Sequence, residues 1–268
     1  MVDILNRKLA PFPEETWNFL DEEAREILEM RLNARRVVDL VGPSGLETAA
    51  VNTGREKKVE STFAGAELSQ RDSLNLVEVE VPLKVNRREL EAFARGAKDA
   101  DSDPVREAAK RAAEIENKAV FFGLPEAGIE GIIPASREEH GSMDLSADSS
   151  TAFYSVIFQA REKLFKAGVE GPYHLLLGEK HYNLLHELES ACYPLFKKIE
   201  QILGTELIFV PELGDSSVLM AAGDDFELFV GKDVSLGYKG HDEEEVELFL
   251  FESLTFKVNA PEAAITFE

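Results

Sequence analysis

The chain has 268 residues, 44% hydrophobic and 30% charged, enough for one large folded domain or two small ones. Its net charge of −22 speaks against a broad nucleic-acid face, so nucleic acid is not an expected partner. Its apolar runs fall short of the roughly 18 residues of a membrane helix, Asp3, Arg7 and Lys8 break up any signal-peptide core, and the single Cys192 precludes an internal disulfide, so a cytoplasmic protein with no membrane partner is expected.

Residues 14–32 are predicted as an amphipathic helix: Trp17, Leu20, Ala24, Ile27 and Leu28 recur at helical spacing, behind acidic Glu14 and Glu15. The stretch "GPSGLETAAVNTG" (42–54) is loop-like. Val77, Val79, Val81, Leu83 and Val85 then alternate with Glu78, Glu80, Pro82 and Lys84, which predicts a strand with one wet face, and Pro82 puts it at an edge. With the polar stretch 55–73 before it, residues 55–85 read as a projecting hairpin arm, marginal alone and in need of a partner.

Asp103 and Pro104 open a second helix, with Val105, Ala108, Ala112, Ile115 and Ala119 on its apolar side. "LPEAGIEGI" (124–132) reads as loop, and Ser150 as the cap of a third helix that Gly168 stops. "YHLLLG" (173–178) is a short buried strand, and residues 179–203 are helical with a break at "CYP" (192–194). After 205 the pattern turns to strands, ending in "EVELFLFESLTFKV". Helices and strands mix without regular alternation, so the class is α+β.

The chemistry-bearing residues form no catalytic constellation. "HELES" (186–190) has Ser190 where a zinc-protease motif needs its second histidine, and His181 lies five residues from His186, on another helix face. Cys192 and His186 lack an orienting acid and an oxyanion hole nearby in sequence. The acidic run "DEEEVE" (242–247) reads as a solvated turn. No phosphate loop or dinucleotide fingerprint is present, so the chain does not read as an enzyme and no metal or cofactor is expected. One dense segment remains, "GKDVSLGY" (231–238), with a donor, an acid, a hydroxyl and a phenol between and beside two glycines.

A collinear set of short matches resembles the encapsulins, shell proteins of lipid-free compartments in bacteria and archaea. The N-terminal part is carried by Leu5, Arg7, Ala10, Pro11, Trp17, Asp21, Ala24, Leu32, Arg35, Arg36, Asp39, Gly42, Pro43 and Gly45. "ARG" (94–96), "AGIEGI" (127–132), "GVEGPYHLLLG" (168–178), "GDDFELFVGKDVSLGY" (223–238) and "FESLTFKV" (251–258) follow in order, across nearly the whole chain.

The resemblance implies the capsid fold of tailed phages, as in phage Hong Kong 97, with a peripheral domain, an axial domain and an extended loop. Along this chain that implies an N-terminal helix and start of the peripheral domain at 1–54, the extended loop at 55–85, and the peripheral domain with its spine helix at 86–127. The axial domain would follow at 128–225, with closing peripheral strands at 226–268. It implies self-assembly into an icosahedral shell, T = 1 for a short chain. The shell would enclose a cargo, a ferritin-like iron oxidase or a dye-decolourising peroxidase, docked by its C-terminal peptide. By the same resemblance Arg35, Val37, Asp39, Asp233, Leu236 and Tyr238 are candidates for the docking groove, and Glu187, Glu189, Cys192 and Tyr193 for the five-fold pore. Some members carry a tryptophan and bind flavin where this chain has Arg88, which offers no aromatic platform, so flavin is not carried over. The alternatives are a prophage capsid protein that packages DNA and, among older labels for the family, a hydrolase or bacteriocin.

Overall fold

A computed structural model describes residues 4–60, 63–188 and 194–268. Helix α1 (Glu14–Arg31) is followed by β1 (Val38–Val41), β2 (Ala50–Val59), β3 (Leu68–Asn75) and β4 (Val77–Asn86). Then come α2 (Arg87–Ala94) and α3 (Asp103–Phe121), the short strands β5 (Gly123–Leu124) and β6 (Ile129–Glu130), and α4 (Ile132–His140). The next stretch carries β7 (Ser142–Met143), α5 (Ser150–Lys166), β8 (Tyr173–Leu177), α6 (Glu179–Glu187) and α7 (Leu195–Leu203). The chain closes with β9 (Ile208–Phe209), β10 (Ser217–Ala221), β11 (Gly223–His241), β12 (Glu245–Val258) and β13 (Ala264–Phe267).

Two sheets organise these elements. The first runs β1-β11-β12-β4, antiparallel except where β1 lies parallel to β11. The second runs β7-β13-β10-β8-β9, with parallel pairs at both edges. Helices α1 and α3 pack on each other, and α3 covers the first sheet. Alanines 108, 109 and 112 on α3 are buried opposite Leu20, Ala24 and Ile27 of α1, so small side chains let the two helices approach closely. A second cluster joins the C-terminal end of α3 to the N-terminal half of β11 through Val120, Phe121, Phe226 and Leu228. A third fills the space among α5, α6, α7 and the second sheet, around Phe153, Ile157, Leu175 and Phe267.

Several expectations hold in detail. The alternation over 77–85 is real: Val81, Leu83 and Val85 are buried while Glu80, Pro82 and Lys84 are exposed. Pro82 lies on an edge strand, where its missing N–H costs no ladder bond. The helices expected at 14–32 and 103–121 appear as α1 and α3.

Others are corrected. The projecting arm is the β2–β3 ribbon, spanning residues 50–75, whereas β4 belongs to the first sheet through its pairing with β12. The loop-like stretch 42–54 therefore becomes strand from Ala50 onward. Ser149 caps α5, its hydroxyl accepting the Ala152 N–H at 3.3 Å, one residue before the Ser150 expected. The C-terminal strand β13, which falls within the closing peripheral strands that the resemblance implied at 226–268, sits inside the second sheet, between β7 and β10. Helices α2 and α4 were not foreseen; each is short, and α2 buries only Leu90.

Candidate docking groove and shell family

A groove of about 660 Å³ opens between α1, the N-terminal segment and the middle of β11. Leu5, Ala24, Leu28, Leu32, Val234 and Leu236 supply its apolar lining. Arg7, Arg25, Arg36 and Lys232 stand with Asp21, Glu29 and Asp233 around them. The N-terminal segment is pinned in place: the Tyr238 N–H donates to the Leu5 carbonyl at 2.8 Å, and Arg7 Nε donates to the Leu236 carbonyl at 2.9 Å. The Arg7 guanidinium also pairs with Asp21 and lies 4.4 Å from the Trp17 ring centroid.

The segment 231–238 forms one wall of this groove. Its two glycines are set by close packing on β12. A Cβ on Gly231 would stand 2.6 Å from Ser253 Oγ, and one on Gly237 would stand 2.4 Å from the Phe249 ring. Between them the β11–β12 register shifts at Lys232 and again before Ser235. That irregularity turns Asp233 out of the ladder and toward Arg35.

Arg35 sits in a 3-10 turn, Ala34–Arg36, held because Asn117 Oδ1 accepts the Ala34 N–H at 3.0 Å. Its guanidinium meets three carboxyls. Glu116 of α3 receives Nε at 2.9 and 3.0 Å and also takes Nη2. The same Nη2 donates to Asp233 Oδ1 at 2.9 Å and to Glu252 Oε1 of β12 at 2.8 Å. The Glu116 and Glu252 side chains are 0% and 3% exposed, while that of Asp233 is 46% exposed. Burial works against the Arg35 charge, but the hydrogen bonds and charges of Glu116, Asp233 and Glu252 outweigh it and hold the guanidinium firmly protonated. Burial, and next the negative charge of Glu116, push the Glu252 carboxyl well above the ordinary carboxylate range.

Of the six residues proposed for docking, Arg35, Asp233 and Leu236 line the groove. Val37 is buried in the cluster behind it, and Tyr238 is buried in the α1–α3 cluster with its hydroxyl against His241. Asp39 is exposed on β1, opposite Glu227, outside the groove lining. Three more groove residues, Ala24, Leu28 and Leu32, carry a readable signal: they recur at four-residue spacing along α1 and its C-cap. Glu116 and Glu252 were missed. Each is an acid set among buried apolar positions, Glu116 among 109, 112, 113 and 120 on α3 and Glu252 within "FLFESL" on β12.

Among the pore candidates, Glu187 is exposed at the end of α6, while Glu189, Cys192 and Tyr193 lie outside the described residues. On α6 His181 is buried with Nδ1 2.9 Å from Ser217 Oγ, and His186 is exposed, its ring edge-on to Tyr182. No group of three His, Cys, Asp or Glu among the described residues is placed to hold a metal. Arg88 is exposed at the start of α2. Asp242 turns the acidic run back by accepting the N–H groups of Glu244 and Glu245. No helix among the described residues is long and apolar enough to cross a membrane.

A spine helix lying on a long β-sheet, a second compact sheet domain and a projecting two-stranded ribbon define a capsid-type shell subunit. The virus-like particle from Pyrococcus furiosus shares this fold with a TM-score of 0.64 at 15% identity, over 94% of this chain and 98% of that one. The capsid of Myoviridae phage XM1 shares it at 0.56 and 10% identity, over 85% and 88%. The family described as "Encapsulating protein for peroxidase" matches residues 2–255. The type 1 encapsulin shell protein of Rhodospirillum rubrum is 41% identical over 268 residues, covering 97% of this chain and 95% of that protein. The chain belongs to the encapsulin shell-protein family, a family of structural shell proteins rather than enzymes.

Proposed function

We propose that copies of this chain close into a small icosahedral compartment, T = 1, around an enzyme whose C-terminal tail seats in the groove between α1 and β11. The groove carries this reading: an apolar trough rimmed by fixed charges suits an extended peptide, with side chains filling the trough and polar groups setting the register. Leu28, Leu32 and Leu236 provide the trough, and Asp233 with Lys232 and Arg36 the rim. The β2–β3 ribbon, exposed along most of its length, lies on a neighbouring subunit, which supplies the partner an isolated ribbon lacks. Glu187, exposed at the end of α6, stands at the rim of a five-fold pore, where its carboxylate favours cations. The family's description favours a peroxidase as cargo over a ferritin-like iron oxidase.

Two experiments test it. Negative-stain electron microscopy of the protein expressed alone should show uniform hollow spheres; monomers or small oligomers at neutral pH and moderate salt would end the assembly reading. A fluorescent protein fused to the C-terminal tail of a candidate cargo peroxidase from the same organism should co-purify inside the particles, and a tailless copy should not. Equal loading of both would end the docking reading.

A further inference from the structure

Two buried carboxyls share one guanidinium directly behind the groove, and the third carboxyl on that guanidinium is the half-exposed Asp233 of the groove wall. The four groups come from four elements: Arg35 from the turn after α1, Glu116 from α3, Asp233 from β11 and Glu252 from β12. Strand β4 faces Glu252 with Val79 and brings no further charge to that position. One cation cannot neutralise three acids, and water reaches only Asp233.

The Arg35 Nη2 atom lies within 2.9 Å of both Glu252 Oε1 and Asp233 Oδ1 and also binds Glu116. Glu116 engages two nitrogens of the guanidinium while Glu252 engages one. The proton the cluster needs therefore belongs on Glu252, whose neutral form can also donate to Glu116.

We propose that Glu252, Glu116 and Arg35 form a proton-operated latch beneath the groove: while Glu252 holds its proton, Asp233 stays fastened to Arg35, and loss of that proton drives Asp233 off. The direction follows from exposure. With Glu252 charged, the excess negative charge is relieved most cheaply by the one carboxylate that can be rehydrated outside the cluster. Asp233 then swings toward the groove, adding charge and bulk beside Val234 and Leu236. The raised affinity of Glu252 for its proton agrees with this, burial being its main cause. Any consequence for cargo rests on the docking function proposed above; the latch itself does not, and its test uses no cargo.

The test is infrared difference spectroscopy of the purified protein, titrated from about pH 5 to about pH 10, with cryo-electron microscopy of the particles at both ends. The carbonyl band of a protonated buried carboxyl should be present in acid, absent from Glu252→Gln, and lost from the wild type as pH rises. Asp233 should rest on Arg35 at the acid end and have left it at the alkaline end, and in Glu252→Gln it should stay fastened at both. Absence of the band, or its loss with Asp233 unmoved, overturns the latch. If Glu252→Gln fails to fold, Asp233→Asn serves instead. Removing one negative neighbour must shift loss of the band to lower pH, and an unmoved midpoint overturns the proposal.

Discussion

Replacing Arg35 by alanine should be the most damaging single change around the groove. The guanidinium is the cation facing Glu116 and Glu252, whose side chains are 0% and 3% exposed. Removing one partner of a buried ion pair leaves charge uncompensated in a poorly solvated site, at a cost of about 3–5 kcal/mol. The Asp233 contact adds little, because that side chain is 46% exposed and rehydrates. Set against a domain stability of about 5–15 kcal/mol, the loss is large. At roughly 2–4 °C per kcal/mol for chains of this general size, the melting temperature should fall by about 6–20 °C.

The pH dependence gives a second handle. Burial, and next the charge of Glu116, already make Glu252 bind its proton more tightly folded than unfolded, and loss of the opposing Arg35 charge strengthens that hold further. Stability of the variant is therefore greatest in acid and is lost as pH rises above the ordinary carboxylate value of about 4.3. Wild type shares this slope until its own Glu252 gives up the proton, so the deficit relative to wild type should widen above that pH, at the alkaline end. Urea titrations can follow this through Trp17, the chain's single tryptophan, which is 5% exposed in the cluster beside the groove. A variant within about 1 kcal/mol of wild type at neutral pH, or a deficit independent of pH, would refute the reasoning.

Leu28→Glu should leave particles intact and cut loading of the tailed reporter about tenfold or more, since it sets a carboxylate in the apolar trough; fluorescence per particle measures this. Phe226→Ala removes a fully buried ring where α3 meets β11 and should cost about 3–5 kcal/mol in the same urea assay. Gly237→Ala brings a methyl group to 2.4 Å from the Phe249 ring and should cost about 1–3 kcal/mol, relieved by a second change, Phe249→Leu. Replacing residues 56–71 by a tight turn should preserve the circular dichroism of the fold while abolishing spheres in the microscope, because the ribbon adds nothing to the three buried clusters.

Much of the architecture was legible because it rests on local periodicity. The α1 and α3 helices and the β4 edge strand follow from apolar spacing and from Pro82, and the collinear short matches carried the family. Asp233 and Leu236 became docking candidates through the family resemblance, within a segment that its density of functional groups had already marked. Val37 and Tyr238 lie in buried clusters rather than in the groove lining, because which residues of a turn or strand stay open is decided by the elements that pack over them, and a local pattern does not carry that. The acids of the Arg35 cluster were visible only as interruptions in apolar patterns, with nothing local to name their shared partner.

By itself the sequence determined the class of fold, the positions of the long helices and edge strand, and the family, since each is encoded in contiguous pattern. Tertiary structure decided the rest. It placed β13 in the second sheet, separated the ribbon from β4, and brought Arg35, Glu116, Asp233 and Glu252 together across separations of up to 217 residues. Contacts at such distances depend on how the sheets and helices dock, and the local preferences of the residues that meet there do not specify them.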